Sequence, residues 1–525
     1  MKSNAPQTVK RVDRFKYDLI LEGILVGALT GAIVSLFRSV LSGLEPIRSR
    51  VIDFAESGTG PLFLSLLLLF LLYLGTVLCL KFAPLISGSG IPQVKGEIIG
   101  RISHDWLRTL IGKLLGGVLA IGAGLSLGRE GPSVQIGAMV GKGLSRAAKR
   151  LNAEEKILMS SGAGAGLAAA FSAPLAGVVF TLEELQKNFS TNLLLATMAA
   201  SVTSDFVAVN IFGLKPVFDL SVRHAFPVRM YWLLIILGVL LGLLGVFYNR
   251  FTAFMQDLYD NAGPAPVKMI FPFLLVIVFA HNYRYVLGSG NFLVGDIASG
   301  KFMLNALVLL LLMKFIFSVL SFGSGAPGGI FLPLLVLGAI CGGIFSEFAC
   351  AKAGLDPELY LPNFVVLGMC GLFTSIVRSP ITGVILITEM TGNFENFLSL
   401  SIVSLCAYVT ADLLAAKPIY DQLLDRMLNK RSFYYVSRQT RRSKMVIGTT
   451  VYPGSRMDGE PIRMLDLPDD CLVVSVQRGE TEMIPNGNTE LRAGDQMSVL
   501  LRQEDMLEVD HLLERMCRTV RVKRK

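Results

Sequence analysis

The chain has 525 residues, of which 52% are hydrophobic and 17% charged, with a mean hydropathy of +0.57 and a formal net charge of +9. That balance excludes a water-soluble protein of this length, so most of the chain must face lipid. The positive charge needs no nucleic-acid partner, because basic residues flanking apolar spans on the cytoplasmic side account for it.

In chain order, segment 1–17 carries Lys10, Arg11, Arg14 and Lys16 ahead of a long apolar stretch. It lacks a small-residue cleavage pattern and reads as a cytoplasmic start. Charge-free runs follow at Ser57–Leu80, Leu114–Gly128, Ile157–Leu182, Met230–Asn249, Phe315–Ser346, Leu359–Val377 and Asn396–Ala411. A straight span needs about 20 apolar residues, roughly 17–25 in practice. Several runs are too short and Phe315–Ser346 is too long, so the spacing predicts tilted, broken and re-entrant helices. Cys79, Cys341, Cys350, Cys370 and Cys406 lie in or beside these runs and read as packing residues, with no disulfide or metal role.

Three landmarks of the first half recur in order in the second. "GSG" stands at Gly88–Gly90 and at Gly288–Gly290; "GREGP" (Gly128–Pro132) is answered by "GIFLP" (Gly329–Pro333). "GLAAAFSAPLAGVVFTLEE" (Gly166–Glu184) is answered by "GLFTSIVRSPITGVILITEM" (Gly371–Met390), with Pro174, Gly177 and Glu183 spaced as Pro380, Gly383 and Glu389. Internal repeats with Gly/Pro-interrupted segments point to a secondary transporter whose substrate sits where broken helices meet near the bilayer midplane. Non-helical backbone at that depth has to be buried in protein or line a polar cavity. "GSGIP", "GREGP" and "GGIFLP" are therefore the candidate site. If each starts a helix, with Pro92, Pro132 and Pro333 in the first turns, free N–H groups and positive dipole ends converge on an anion. For any one motif, a kink in a continuous helix is the alternative.

A carboxylate at membrane depth costs on the order of 2.5–3.5 kcal/mol on insertion scales and is a functional hypothesis by default. Glu130 at the mouth of an anion-attracting pocket can occupy the anion's own place. Protonated, it swings away and admits an anion; deprotonated, it returns and blocks. A surface pair with Arg129 is the ordinary alternative, although adjacent residues on a helix do not face each other. Glu183 and Glu184 close the run Ile157–Leu182. The repeat supplies one acid there, Glu389, followed by Met390, so Glu184 is the extra carboxylate and the candidate internal proton relay; a solvated helix end is the alternative.

With "KPIY" (Lys417–Tyr420), these motifs resemble the CLC chloride channels and chloride/proton antiporters over roughly residues 18–425. The resemblance implies an all-α polytopic membrane protein of two inverted halves, about 18–215 and 230–425, with broken, tilted and re-entrant helices. It implies a homodimer with one pathway per subunit, in a prokaryotic plasma membrane, with both termini cytoplasmic. By motif, it places chloride against the Ser89 and Tyr420 hydroxyls and the backbone N–H groups of Ile330 and Phe331. Glu130 takes the position of the external gating glutamate and Glu184 that of the internal proton glutamate. Gly88, Gly90, Pro92, Gly128, Gly131 and Gly329 shape the site, and Lys113 and Arg129 add a positive field. Chloride and protons are the transported ions, with no cofactor and no metal. Carboxylates at both positions favour an antiporter; a passive voltage- or pH-gated chloride channel of the same fold is the alternative. Retention of "GSGIP" and of the tyrosine favours chloride over fluoride.

A basic linker, 426–443, includes Arg426, Lys430, Arg431, Arg438, Arg441 and Arg442 and leads to a small cytoplasmic α/β domain, 444–525. Its composition predicts strands at Cys471–Gln477 and Asp495–Leu501, a turn at Asn486–Asn488, and a closing helix with Met506, Val509, Leu513 and Met516 on one face. "VVSVQRGETEMIPNGNTELRAGDQMSVLL" resembles the C-terminal RCK (TrkA-C) regulatory domain. That resemblance implies dimerisation and, in some members, a ligand such as cyclic di-AMP at the dimer interface, near Arg478, Ile484, Pro485 and Asn486. A passive dimerisation module is the alternative.

An intramembrane enzyme with Ser89 as nucleophile is not expected. Position 87 is serine, so the G-x-S-x-G elbow is absent. None of His104, His224, His281 and His511 is expected in an apolar span beside an orienting acid. Nothing resembles the carbonyl filter or acidic ring of a cation channel.

Overall fold

Apolar runs can satisfy their backbone groups in lipid only by coiling, and the computed structural model of the chain turns them into helices. The structure describes residues 5–220, 226–431, 444–465, 467–468, 471–478, 481–502, 509, 512–513 and 515–516. His224, Arg438, Arg441, Arg442, Met506 and His511 lie outside the described residues, as do the side chains of Lys10, Arg11, Arg14, Lys16, Lys430 and Arg431. The chain divides into two units, Met1–Met427 and Leu428–Lys525.

The first half of the larger unit contains α1 (Ala5–Ala55), α2 (Thr59–Phe82), α3 (Ile91–Ile98), α4 (Trp106–Gly122), α5 (Glu130–Ala147), α6 (Asn152–Phe171), α7 (Pro174–Phe180) and α8 (Thr191–Phe212). The second half answers with α9 (Tyr231–Asn261), α10 (Ala265–Asn282), α11 (Asn291–Ala298), α12 (Leu304–Gly323), α13 (Phe331–Ala353), α14 (Pro357–Val377), α15 (Pro380–Thr391) and α16 (Phe397–Leu413), and α17 (Ile419–Arg431) follows. Among the described residues, eight helical segments are long and apolar enough to cross a membrane.

The repeat extends to details that the landmarks alone do not contain. α3 and α11 each have eight residues and each follows a left-handed glycine, Gly90 (φ 95°) and Gly290 (φ 79°). Such a backbone strains any residue with a Cβ. Lys113 on α4 donates to the carbonyls of Ile86 (2.8 Å) and Gly88 (2.6 Å); Lys314 on α12 does the same to Val286 (2.9 Å) and Gly288 (2.7 Å). Both lysines are fully buried. Each holds the turn ahead of its "GSG".

Gly/Pro interruptions break the long runs where the spacing requires. Ile157–Leu182 ends α6 at Phe171, passes Ser172 in left-handed geometry, and restarts as α7 behind Pro174. A π-helical turn, Thr181–Gln186, then carries Glu183 and Glu184. Phe315–Ser346 divides into α12 and α13. "GSGIP", "GREGP" and "GGIFLP" each begin a helix, α3, α5 and α13, with Pro92, Pro132 and Pro333 in the first turn, so none of them is a kink.

Close helix pairs in each half are built on small residues. A Cβ on Gly162 of α6 would lie 2.1 Å from the Gly137 carbonyl oxygen of α5, and one on Gly368 of α14 would lie 2.2 Å from that of Gly338 of α13. Without a hydrophobic drive between helices in lipid, such close backbone approach supplies the packing.

The smaller unit holds an antiparallel sheet of β1 (Lys444–Thr450), β2 (Leu472–Arg478), β3 (Thr481–Met483) and β4 (Gln496–Arg502) in the order β1-β4-β2-β3. The predicted strands correspond to β2 and β4, each one residue later than expected. Asn486 forms the expected turn, accepting at its side chain from the Asn488 N–H and at its carbonyl from the Thr489 N–H, both at 2.9 Å. Val473, Val476, Met497, Val499 and Leu501 pack with Val509 and Leu513 in one core.

Candidate functional site

Backbone pairing draws the three glycine motifs together. Gly128 and Gly329, equivalent residues of the two halves, form an antiparallel bridge with N–H to O distances of 2.6 and 2.8 Å. Antiparallel pairing of equivalent residues is what a two-fold relation between the halves produces. The Gly88 N–H donates to Gly325 (3.2 Å), and Gly88 accepts from Gly328 (3.1 Å). α5 and α13 therefore start side by side beside the loop that carries Ser89. A Cβ on Gly131 would lie 2.4 Å from Ser89 Oγ, so only glycine lets the first turn of α5 approach this hydroxyl. Ile330 and Phe331 open α13, and the Phe331 ring packs between Phe171 and Phe373, at centroid distances of 5.2 and 4.6 Å.

Glu130, the first residue of α5, is fully buried, which excludes the surface pair with Arg129. Its carboxylate folds back over Gly128: a Cβ there would lie 2.2 Å from Glu130 Oε2 and 3.2 Å from the Leu332 amide nitrogen. The carboxylate thus sits against the amide end of α13. Ser89 Oγ and Tyr420 OH are buried without a hydrogen-bond partner, and the buried Glu130 carboxylate faces the backbone N–H groups of Glu130 and Leu332. A buried polar group left unpaired costs about 1–3 kcal/mol, and helix N-termini with such groups are suited to a small anion. Tyr420 lies within Coulombic reach of both Glu130 and Glu184.

Glu184 occupies a second polar cluster. It is 2% exposed, which excludes a solvated helix end. Its Oε1 accepts from Lys95 Nζ at 2.9 Å and its Oε2 from Ser379 Oγ at 3.2 Å. Lys95 is also paired with Asp421, and Asp421 with Lys187 at 2.7 Å. Its neighbour Glu183 points elsewhere, capping α15 through the N–H groups of Ile381 (3.1 Å) and Thr382 (2.7 Å). Glu389 reciprocates by capping α7 through Leu175 (3.0 Å) and Ala176 (2.8 Å). The acids matched by the repeat tie one half to the other, and the unmatched acid faces the buried cluster.

A family model described as voltage gated chloride channel matches residues 70–412. The chain belongs to the voltage gated chloride channel family. The H(+)/Cl(-) exchange transporter ClcA of Vibrio campbellii is 34% identical over 429 residues, covering 78% of this chain and 90% of its own. That of Vibrio cholerae strain M66-2 is 35% identical over 435 residues, covering 80% and 92%. A solved structure of a slow cyanobacterial Cl-/H+ antiporter superposes with a TM-score of 0.75 at 31% identity, covering 79% of this chain and 98% of its own. A CLC-type fluoride/proton antiporter shares the fold, with a TM-score of 0.66 at 24% identity, covering 77% and 97%. A TrkA-C domain model matches residues 446–514.

Sequence reasoning missed several residues of this CLC chain. Lys95, Asp421, Lys187 and Ser379 gave no local signal, because their proximity depends on four separate elements. Among the histidines, His104 lies in the non-helical stretch before α4, buried, with its Nδ1 paired with Glu97, which also pairs with Lys142. An acid does orient this histidine, but Ser89, the serine weighed as a nucleophile, has no hydrogen-bond partner at its hydroxyl. In the TrkA-C domain, Arg478 forms a fork with Asp495 at 2.8 and 2.6 Å and also donates to the Glu490 carbonyl at 2.8 Å. These hydrogen bonds hold the Asp495 carboxyl below the usual carboxylate range. Ile484 is 92% exposed, and Pro485 and Asn486 lead into the neighbouring turn.

Proposed function

We propose that this chain exchanges chloride for protons across a bacterial cell membrane. The observation that carries the reading is the meeting of the buried Ser89 hydroxyl and the buried Glu130 carboxylate at the adjoining starts of α5 and α13, with the Tyr420 hydroxyl also buried and without a hydrogen-bond partner. Hydroxyl and amide donors without a full cationic charge bind a dehydrated chloride loosely enough to release it. Ser89, Tyr420 and the N–H groups of Ile330 and Phe331 hold the anion. Glu130 competes for the same amide-rich seat: a proton from outside neutralises it and frees the seat, and once that proton has passed inward the carboxylate returns and displaces the anion. Glu184 takes up and releases protons on the inner side. A passive channel would have no use for a second buried carboxylate, so exchange is the stronger reading.

Purified protein in liposomes, with an imposed chloride gradient and a pH electrode outside, tests this. Chloride running down its gradient drives protons uphill in an exchanger; chloride flux without proton movement would establish the channel. Two subunits with one pathway each form the working unit. The TrkA-C domain links them and offers a cyclic dinucleotide site near Ile484, Pro485 and Asn486, with Arg478 as structural support. Calorimetric titration of the full chain with cyclic di-AMP tests the ligand, and absence of heat at high micromolar concentration leaves a dimerisation module.

A further inference from the structure

Four charged side chains from three parts of the fold meet around Glu184, and the exchange mechanism above uses only one of them. Lys95 comes from α3, the helix that follows the Ser89 loop. Glu184 and Lys187 come from the π-helical turn and its C-cap. Asp421 stands on α17, directly after Tyr420. Lys95 is buried and touches both carboxylates, Glu184 and Asp421; Lys187 touches only Asp421. Ser379, the N-cap of α15, completes the ring with a neutral hydroxyl on Glu184. With Glu184 ionised, two cations face two anions and the cluster is neutral. A proton on Glu184 leaves two cations facing one anion.

We infer that Lys95 is a positioning residue that couples protonation of Glu184 to the anion path, by dividing its ammonium between Glu184 and Asp421 and passing to Asp421 when Glu184 is neutral. The inference rests on the exchange reading. Two consequences follow from the placement of the residues. Lys95 pulls on Asp421 and hence on the first turn of α17, where Tyr420 presents its hydroxyl. The cluster also acquires one net positive charge between the Ser89 helix and the Tyr420 helix, which favours an anion there. Inner proton uptake and inner anion binding then assist each other. A π-helical turn supports such a role, because this geometry recurs at functional sites and here directs Glu184 inward while Glu183 caps α15. A passive ion-pair network would need no shared lysine, since Lys187 already neutralises Asp421.

The test uses the full chain in oriented proteoliposomes, with coupled exchange measured against pH on the inner side. Lys95→Gln removes the cation from Glu184, so the proton binds more easily and the midpoint moves to higher pH by about one unit. Asp421→Asn commits Lys95 to Glu184 and moves the midpoint to lower pH by about the same amount. Lys95→Arg restores the wild-type profile, and in a Glu184→Gln background Lys95→Gln leaves the pH profile of the remaining chloride flux unchanged. Shifts in the same direction for Lys95→Gln and Asp421→Asn, or no shift in either, overturn the inference while wild-type exchange still stands. If Lys95→Gln does not fold, Asp421→Asn decides alone, and an alkaline shift or none refutes the idea. A wild type that moves chloride without protons removes the exchange reading and this inference together.

Discussion

Replacing Tyr420 by Phe separates a ligand-binding hydroxyl from a structural one. The hydroxyl is fully buried and has no hydrogen-bond partner in the protein. Its loss therefore breaks no internal bond and relieves an unpaired buried group, worth about 1–3 kcal/mol. Chloride loses one charge-assisted hydrogen bond of about 1.5–3 kcal/mol, or roughly 10- to 150-fold in Kd. Thermal unfolding with and without chloride reads both effects. At a concentration of 100 times the wild-type Kd, chloride stabilises wild type by about 2.7 kcal/mol. A tenfold weaker variant gains about 1.4 kcal/mol and a hundredfold weaker one about 0.4 kcal/mol. In chloride-free buffer the variant melts no lower than wild type. A lower Tm without chloride, combined with an unchanged calorimetric Kd, would show that the hydroxyl serves the fold and refute the site.

Glu130→Gln should leave a chloride flux that neither moves protons nor responds to external pH, measured with paired chloride and pH electrodes. Glu184→Gln should abolish proton transport and spare chloride flux in the same assay; surviving proton pumping would count against the relay. Gly162→Ala places a methyl about 2.1 Å from the Gly137 carbonyl oxygen and should destabilise the membrane unit by about 1–3 kcal/mol or more, read by melting in detergent. Asp495→Asn removes the carboxylate held by Arg478 and should cost the TrkA-C domain about 1.5–3 kcal/mol. Because Asp495 titrates below its ordinary value, about 3.9 when unfolded, its stabilisation is present above that value and is lost as pH falls through the lower folded one. An acid titration of domain melting should show this loss in wild type and not in Asp495→Asn.

Much of the candidate site was legible in the residues because its determinants are local. Glycine and proline break helices wherever they fall, and lipid forces every intervening apolar run to coil, so "GSGIP", "GREGP" and "GGIFLP" announce three helix starts before any contact is known. The likeness of the halves carried the argument further, pairing Glu183 with Glu389 and isolating Glu184 as the unmatched acid. β1 and β3 in the tail went unread because a short strand gains its stability from a partner elsewhere in the chain.

Motif spacing alone determined that three helices would begin at the glycine motifs with an acid at the start of one of them, since the local backbone decides that. Only the tertiary structure decided which groups are left unpartnered and which charges are shared. Lys95 became a bridge between Glu184 and Asp421, and Lys113 a tie for the Ser89 loop, because ion pairs and burial depend on distances between distant segments, which no local pattern encodes.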